Sequence, residues 1–132
     1  MIKVFLGGTC CESAWRKKLI KLLDNDKISW YDPVVPDWTP ECQEKEEIYK
    51  LGSDYNLYVI TPKMLGVFSI AEATHDAAKL PQNTIFCVLK EDNGEEFNKA
   101  QWKSLMATKK LIKHCGAYVF DTLDEIGVFL NG

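Results

Sequence analysis

The sequence lacks the features of membrane and exported proteins. Its longest apolar runs, such as residues 4–6 and 57–60, are far shorter than the roughly 20 residues that a membrane-spanning helix needs. The apolar start of the chain meets Gly7 and Gly8 too early for the core of an export signal. We therefore expect a protein with no membrane partner, located in the cytoplasm.

The sequence also has no large excess of one charge and no paired spacing of metal ligands. Sixteen Lys plus Arg against nineteen Asp plus Glu leave a formal net charge of −3, so no global basic field is available to bind a polyanion. The five cysteines and two histidines form no C-x-x-C or H-x-x-x-H pair, which argues against a disulfide framework and a structural zinc site. We expect no nucleic-acid partner, no metal and no cofactor.

What the chain does contain is a regular alternation of short β-prone apolar runs and helical stretches, consistent with one domain over residues 1–132. This pattern is typical of a parallel sheet with helices on both faces. Right-handed crossovers favour a doubly wound, five-stranded α/β fold of the flavodoxin- or Rossmann-like type, with strand order 2-1-3-4-5. The predicted strands are residues 3–6, 28–31, 55–61, 84–89 and 118–120. The predicted helices are residues 13–23, 40–51, 68–79, 98–114 and 123–130.

In such a sheet, ligands bind beyond the carboxyl ends of the strands where the strand order reverses. That position lies between the first and third strands, next to Gly7-Gly8-Thr9 and the loop of residues 32–38. The glycine turn can bring backbone amides close to phosphate or sugar oxygens, although it matches neither G-x-G-x-x-G nor a Walker motif. A plain tight turn is the alternative. Trp38 and Phe68 fall near the same mouth, where aromatic rings either stack on a base or belong to the core.

Two carboxylates flank the third strand. Glu72 falls near the start of the following helix, where the positive end of the helix dipole favours a carboxylate, and such a carboxylate could act as a nucleophile. The alternative is ordinary charge complementation of a helix N-terminus. Asp54 stands just before the strand, at the end away from the carboxyl edge, and its simplest interpretation is a surface turn residue.

A competing motif is C-x5-R, formed by Cys10 and Arg16 after the first strand, which is the minimal signature of a cysteine phosphatase. A phosphate-binding loop needs backbone amides wrapped around the anion, but no glycine lies between these two residues. Glu12 would also repel a phosphate dianion. We keep phosphatase activity as an alternative, with Asp32 as its conceivable general acid.

Four segments in order resemble the nucleoside 2-deoxyribosyltransferase-like family: KVFLGGT at residues 3–9, YDPV at 31–34, SDYNLY at 53–58, and the stretch from Gly66 to Ala73. The resemblance spans roughly the first two-thirds of the chain. It implies that Glu72 attacks the anomeric carbon of a nucleoside or nucleotide and releases the base. It also implies active-site roles for Asp54 and for the Gly7-Gly8-Thr9 turn. Where the family usually carries an aspartate six residues before the nucleophile, this chain has Gly66.

A carboxylate that attacks an oxocarbenium-like centre can form a glycosyl-enzyme intermediate, which water or a second base then resolves. The leaving base needs an acid, and Asp32, Asp37 and Asp54 are the carboxyls available. The expected partner is thus a small-molecule nucleoside or nucleotide, and the oligomeric state, monomer or homo-oligomer, is left open. The competing class is a module that binds a nucleotide or related signal at the switch point without cleaving it.

Overall fold

The computed structural model describes residues 1–10, 12–35 and 39–132 of the chain. Strands and helices alternate through this part of the chain, as the apolar pattern predicts. The strands are β1 (Ile2–Gly8), β2 (Ile28–Tyr31), β3 (Tyr55–Ile60), β4 (Thr84–Val88), β5 (Glu91–Asp92), β6 (Glu95–Glu96) and β7 (Tyr118–Phe120). The helices are α1 (Trp15–Ile20), α2 (Pro40–Gly52), α3 (Phe68–Lys79), α4 (Lys99–His114) and α5 (Leu123–Asn131), with a 3-10 turn at Pro81–Asn83.

Five strands form one parallel sheet of order β2-β1-β3-β4-β7. The predicted doubly wound α/β fold and its strand order are confirmed. Burial of nearly every residue of β3 and β4 follows from their central position, because helices cover both faces of the sheet there. The strand order reverses between β1 and β3, so a crevice opens at their carboxyl ends.

Alternation of side chains along the strands divides the core into two layers. One layer, which includes Leu57 and Val59, lies against α1 and α5. The other, which includes Tyr58 and Ile60, lies against α3 and α4. Helix α2 lies on the α3 side of the sheet, where Lys50 reaches the ring of Tyr58. Helices α2 and α3 therefore lie on the same face of the sheet.

The first strand is longer than predicted. It continues past residue 6 because Gly7 and Gly8 pair with Tyr58 and Val59 of β3. The first helix is shorter than predicted, running from Trp15 to Ile20. The two amides that follow at residues 22 and 23 donate to carbonyls three residues back, and this tighter turn ends the α-helix.

A small hairpin formed by β5 and β6 has Asn93 and Gly94 at its tip. Asn93 and Gly94 have φ angles of 50° and 85°, the positive values that a two-residue hairpin turn requires at both central positions. The hairpin follows β4 and brings Asp92 to the carboxyl edge of the sheet, close to Thr61. Among the described residues, no helix has the length and apolar character needed to cross a bilayer.

Candidate active site at the carboxyl end of the sheet

A pocket of about 180 Å³ opens at the carboxyl ends of β1 and β3. Gly8 and Thr9 line it from the first strand and its turn, Gly66 from the loop after β3, and Phe68 and Ser69 from the first turn of α3. Small-molecule sites usually enclose about 300 to 1,000 Å³. The pocket is therefore sized for one part of a ligand, such as a sugar ring, with the remainder outside.

The two glycines at the end of β1 are required by the packing of the sheet, and one of them also lines the pocket. Gly8 has a φ of +110°, and a Cβ atom there would lie 2.2 Å from the carbonyl oxygen of Val59. A Cβ atom on Gly7 would lie 2.9 Å from the ring of Tyr58. Both glycines therefore allow close contact of β1 with β3 and its side chains, and Gly8 also forms part of the pocket wall. The role of Gly7, Gly8 and Thr9 in substrate binding stays a prediction.

Arg16 forms hydrogen bonds with the backbone at the end of β1. Its guanidinium donates hydrogen bonds to the carbonyl oxygens of Leu6 at 3.0 Å, Thr9 at 2.6 Å and Gly8 at 3.4 Å. Burial lowers the pKa of Arg16, and the charge of Asp32, 3.4 Å from its Nε atom, opposes that shift. These contacts hold the guanidinium against the backbone. Arg16 is therefore not placed to bind phosphate, as the cysteine phosphatase alternative would require.

The loop after β2 is tethered at its start. Besides pairing with Arg16, Asp32 accepts a hydrogen bond from the amide of Val34 at 2.9 Å. Asp37 and Trp38, which the sequence places in the same loop near the base, lie outside the described residues. Their roles in substrate binding stay predictions.

Among the described residues, Phe68 is the aromatic side chain that borders the pocket. It is 66% exposed, so it contributes little to the core, and its ring is available to a ligand at the pocket mouth. Tyr31, at the end of β2, instead stacks on Tyr49 of α2, with ring centroids 3.8 Å apart and 7° between the planes.

Glu72 lies in the second turn of α3, four residues after Phe68 and on the same side of the helix. At 1.5 Å per residue, this places it about 6 Å along the helix from Phe68. The ammonium of Lys50 lies 3.2 Å from the Glu72 carboxylate and 3.1 Å from that of Asp76. These three side chains are only 14 to 23% exposed. The residue predicted as nucleophile thus belongs to an ion-pair group one helical turn from the pocket wall.

The group is anchored to the sheet by Tyr58, whose hydroxyl donates to Asp76 at 2.5 Å. Burial raises the pKa of Tyr58, and the hydrogen bond to Asp76 raises it further. The ammonium of Lys50 also lies 5.5 Å from the centroid of the same ring. We call Lys50, Tyr58, Glu72 and Asp76 the Lys50 cluster. It joins α2, α3 and β3 on one face of the sheet.

A larger concavity of about 510 Å³ lies elsewhere, on the surface of α4 around Leu111 and His114. One helix lines it, away from the carboxyl ends of the strands, so it lacks the convergent polar groups of a built site. Within residues 1–10, 12–35 and 39–132, there is no group of three or more His, Cys, Asp or Glu side chains placed to hold a metal ion.

The matching part of the chain is the part that builds this site. A family model described as nucleoside 2-deoxyribosyltransferase like matches residues 1–91, which include β1 to β4 and α1 to α3. The chain belongs to this family. Membership supports a function related to glycosyl transfer. Comparison with curated proteins and with solved structures gives no match.

The structure separates the two carboxylates that the family resemblance associates with catalysis. Asp54 precedes β3, and the six residues of that strand span about 20 Å before the carboxyl edge. Its carboxylate accepts a hydrogen bond from the amide of Lys3 at 2.8 Å. Asp54 therefore lies at the amino edge of the sheet, whereas the pocket lies at the other edge and Glu72 lies near the pocket.

Sequence reasoning did not select Lys50, Tyr58 or Asp92 as site residues. Lys50 stands in the last turn of α2, where a cation is ordinary helix-end complementation. Tyr58 offered a usable signal, because a tyrosine inside a buried apolar strand needs a partner for its hydroxyl. The four-residue spacing of Glu72 and Asp76 did indicate that the two lie on one helix side, but only the fold shows which helix contributes the lysine between them.

Proposed function

We propose that the protein cleaves the N-glycosidic bond of a (deoxy)nucleoside or nucleotide, with Glu72 as nucleophile, and transfers the sugar to another base or to water. The observation that carries the proposal is the position of Glu72. This carboxylate lies one helical turn from a sugar-sized pocket at the switch point, beside a lysine that orients it. Family membership supports glycosyl transfer in general, and the geometry supports this residue as the attacking group.

The pocket supports a division of the substrate into two parts. Its volume suits the sugar, whose hydroxyls would meet Thr9 and the first turn of α3. The base would then lie outside, against the exposed ring of Phe68 and under the loop that Asp32 begins. Stacking of a base on an aromatic ring does not depend on base identity, so this arrangement leaves base selectivity to the loop.

The proposed chemistry proceeds in two displacements. A carboxylate oxygen of Glu72 attacks the anomeric carbon, the bond from that carbon to the base nitrogen breaks, and the base takes the bonding electron pair and a proton. Water or a nitrogen of a second base then attacks the same carbon and gives up a proton to the group that protonated the first base. The ester bond to Glu72 breaks, and the carboxylate is regenerated.

Lys50 supplies orientation in this scheme. It lies between Glu72 and Asp76, so its attraction for both carboxylates fixes the direction in which Glu72 points. Tyr58 holds Asp76 in turn. The proposal makes no use of Asp54 in the chemistry, because its carboxylate lies at the opposite edge of the sheet. Asp32 and Asp37 stay as candidate acids for the leaving base.

The test is chromatography of a panel of ribonucleosides, 2′-deoxynucleosides and their 5′-monophosphates after incubation with the protein. We expect free base from at least one member. In the presence of a second free base, we expect a new nucleoside if the reaction is transfer. Mass spectrometry of a quenched reaction should show a sugar adduct on the peptide that contains Glu72. An intact panel after prolonged incubation at high protein concentration would overturn the proposal.

One observation favours the second candidate, a module that binds without cleaving. Gly66 stands in the pocket wall where the family usually carries an aspartate, and a Cβ atom there would meet nothing within 4 Å. The space for an acid is present while the acid is missing. If the protein is a binding module that lost its acid, Gly66→Asp should create or increase base release. If the protein is already an active enzyme, Gly66→Asp should change its rate by no more than a few-fold.

A further inference from the structure

One buried carboxylate near the pocket belongs neither to the pocket wall nor to the Lys50 cluster. Asp92, on β5, is 4% exposed, and it lies one residue beyond the segment that matches the family model. Burying a carboxylate is costly unless hydrogen bonds compensate for the lost water. The partners of Asp92 therefore indicate what it does.

Two hydroxyl groups on segments that border the pocket donate hydrogen bonds to Asp92. The Oδ2 atom of Asp92 accepts a hydrogen bond from the Thr61 hydroxyl at 2.7 Å and a short one from the Ser13 hydroxyl. Thr61 directly follows β3, and Ser13 lies in the loop between β1 and α1. The Oδ2 atom of Asp92 thus connects the residue that follows β3 with the loop that follows β1.

Both connections lead on to Thr9 in the pocket wall. The amide of Thr61 donates to the Thr9 hydroxyl at 3.0 Å. On the other side, the Ser13 hydroxyl accepts from the amide of Trp15 at 3.4 Å, and the Trp15 indole donates to the Thr9 carbonyl at 2.7 Å. Asp92 is therefore connected to Thr9 by two separate routes, although it does not line the pocket itself.

The loop that Asp92 anchors contains a strained residue. Glu12, next to Ser13, has a φ of 58°, in the left-handed region that non-glycine residues seldom adopt. Such conformations persist only where the surroundings over-determine them. The hydrogen bond from Ser13 to a buried carboxylate is a constraint of that kind, one residue from the strain.

We propose that Asp92 is the positioning residue that holds Thr9 and the rim of the pocket in their substrate-binding geometry, an inference that rests on the proposed function. Asp92 acts through Thr61 and Ser13 and does not touch the reacting atoms. Both the shape of the Asp92 side chain and its acceptor oxygen matter. An asparagine has a similar shape, and its carbonyl oxygen can accept the same two hydrogen bonds, so it should preserve most of the positioning.

The first test measures base release by Asp92→Ala and Asp92→Asn. Removing the acceptor of these two hydrogen bonds should lower kcat/KM by about 10- to 100-fold in Asp92→Ala, mainly through a higher KM, because the proposed function places Thr9 against the bound sugar. Asp92→Asn should recover activity to within a few-fold of wild type. Glu96→Gln, an exposed acid on the same hairpin, serves as the control and should be unchanged. Equal loss in the alanine and asparagine variants, or none in either, would contradict the proposal.

A double-mutant cycle separates positioning from general destabilisation. Thr61→Val and Ser13→Ala each remove one hydroxyl donor and should each raise KM. Added to Asp92→Ala, either change should have little further effect, because the hydrogen bond is already lost. Full additivity of the losses would mean that Asp92 does not act through these hydroxyls. The two hydroxyl variants also keep the test valid if Asp92→Ala fails to fold.

Amide hydrogen exchange tests the same connection without any turnover. In Asp92→Ala, exchange of the amides in residues 9–15 and of Thr61 should speed up by about tenfold or more, while amides of β7 and α5 keep their rates. Unchanged exchange in residues 9–15 would overturn the proposal even in an active enzyme. If wild type cleaves no member of the panel, the proposed function fails, and the exchange rates still decide whether Asp92 holds the pocket rim.

Discussion

The two ends of β3 are both polar, but their polar groups do different things. At the amino end, Asp54 exchanges hydrogen bonds with the backbone of Lys3, and Asn83 donates to the Asp54 carbonyl, all in exposed positions. At the carboxyl end, the buried hydroxyl of Thr61 and the partly buried hydroxyl of Ser13 donate to a buried carboxylate beside a pocket. The first arrangement satisfies backbone hydrogen-bonding groups of neighbouring strands, and the second connects the loops beside the pocket.

The difference follows from the lengths of the connections. At the amino edge, α2 ends at Gly52 and β3 begins at Tyr55, so the chain turns tightly and leaves no space for a ligand. At the carboxyl edge, residues 9–14 and 61–67 form longer loops between strand and helix. Longer loops can enclose a pocket, and they need side-chain hydrogen bonds to hold one conformation. A polar residue therefore has a different structural role at each end of the same strand.

The largest expected effect compares one carboxylate from each end. Glu72→Gln should lower base release by about 10³-fold or more, because an amide cannot act as the nucleophile. Asp54→Asn should change kcat/KM by no more than a few-fold and reduce the free energy of unfolding by about 1 kcal/mol, through its weaker hydrogen bond to the Lys3 amide. Steady-state kinetics and urea unfolding of both variants check this. Comparable losses of activity would remove the distinction between the two ends.

The next largest effect concerns glycines in the pocket wall. Gly8→Ala should reduce the free energy of unfolding by about 3 kcal/mol or more, because its Cβ would overlap the backbone of β3 at a positive φ. Gly66→Ala, in open space, should stay within about 0.5 kcal/mol of wild type. Urea unfolding at equilibrium measures both. A tolerant Gly8 would mean that the close contact of β1 with β3 is not required.

A smaller effect should appear at the pocket mouth. Phe68→Ala should raise KM for a cleaved nucleoside by about 5- to 150-fold, the equivalent of roughly 1 to 3 kcal/mol for a lost stacking interaction. Its stability should change little, because the ring is mostly exposed. Kinetics and thermal unfolding separate the two interpretations of the ring. A sharp fall in Tm with an unchanged KM would identify Phe68 as a packing residue instead.

The most gradual effect comes from the buried middle of the sheet, between the two ends. Burial raises the pKa of Cys87 from 9.0 to about 12, and burial also raises that of Tyr58. Above pH 9, the unfolded chain binds fewer protons at these groups than the folded chain, so the free energy of unfolding should fall as the pH rises. Each group contributes at most about 1.4 kcal/mol per pH unit.

Urea unfolding between pH 7 and pH 11 measures this slope. Stability from these groups should be fully present below pH 9 and decrease above it. Cys87→Ala and Tyr58→Phe should each flatten the decrease, even though both variants are less stable at pH 7. A slope that survives both substitutions would have to arise at other groups of the protein.

Most element positions could be predicted from the sequence because their signals are local. Thr39 followed by Pro40 marks the start of α2, where the threonine side chain accepts from the amide of Cys42. Asn98 similarly begins α4 with a capping box. The end of β1 was predicted two residues early, because Gly7 and Gly8 resemble a turn until β3 is placed beside them. Pairing with a distant strand overrides the local preference of a glycine.

The sequence by itself determined the fold class and the strand order, because apolar periodicity and right-handed crossovers depend on local pattern and chain handedness. It also determined that Glu72 follows the third strand in the order typical of the family. Only the tertiary structure decided which groups meet. Lys50 and Glu72 are 22 residues apart, and Ser13 and Asp92 are 79 apart. Contacts over such separations depend on how the helices pack across the sheet, and no local pattern encodes that packing.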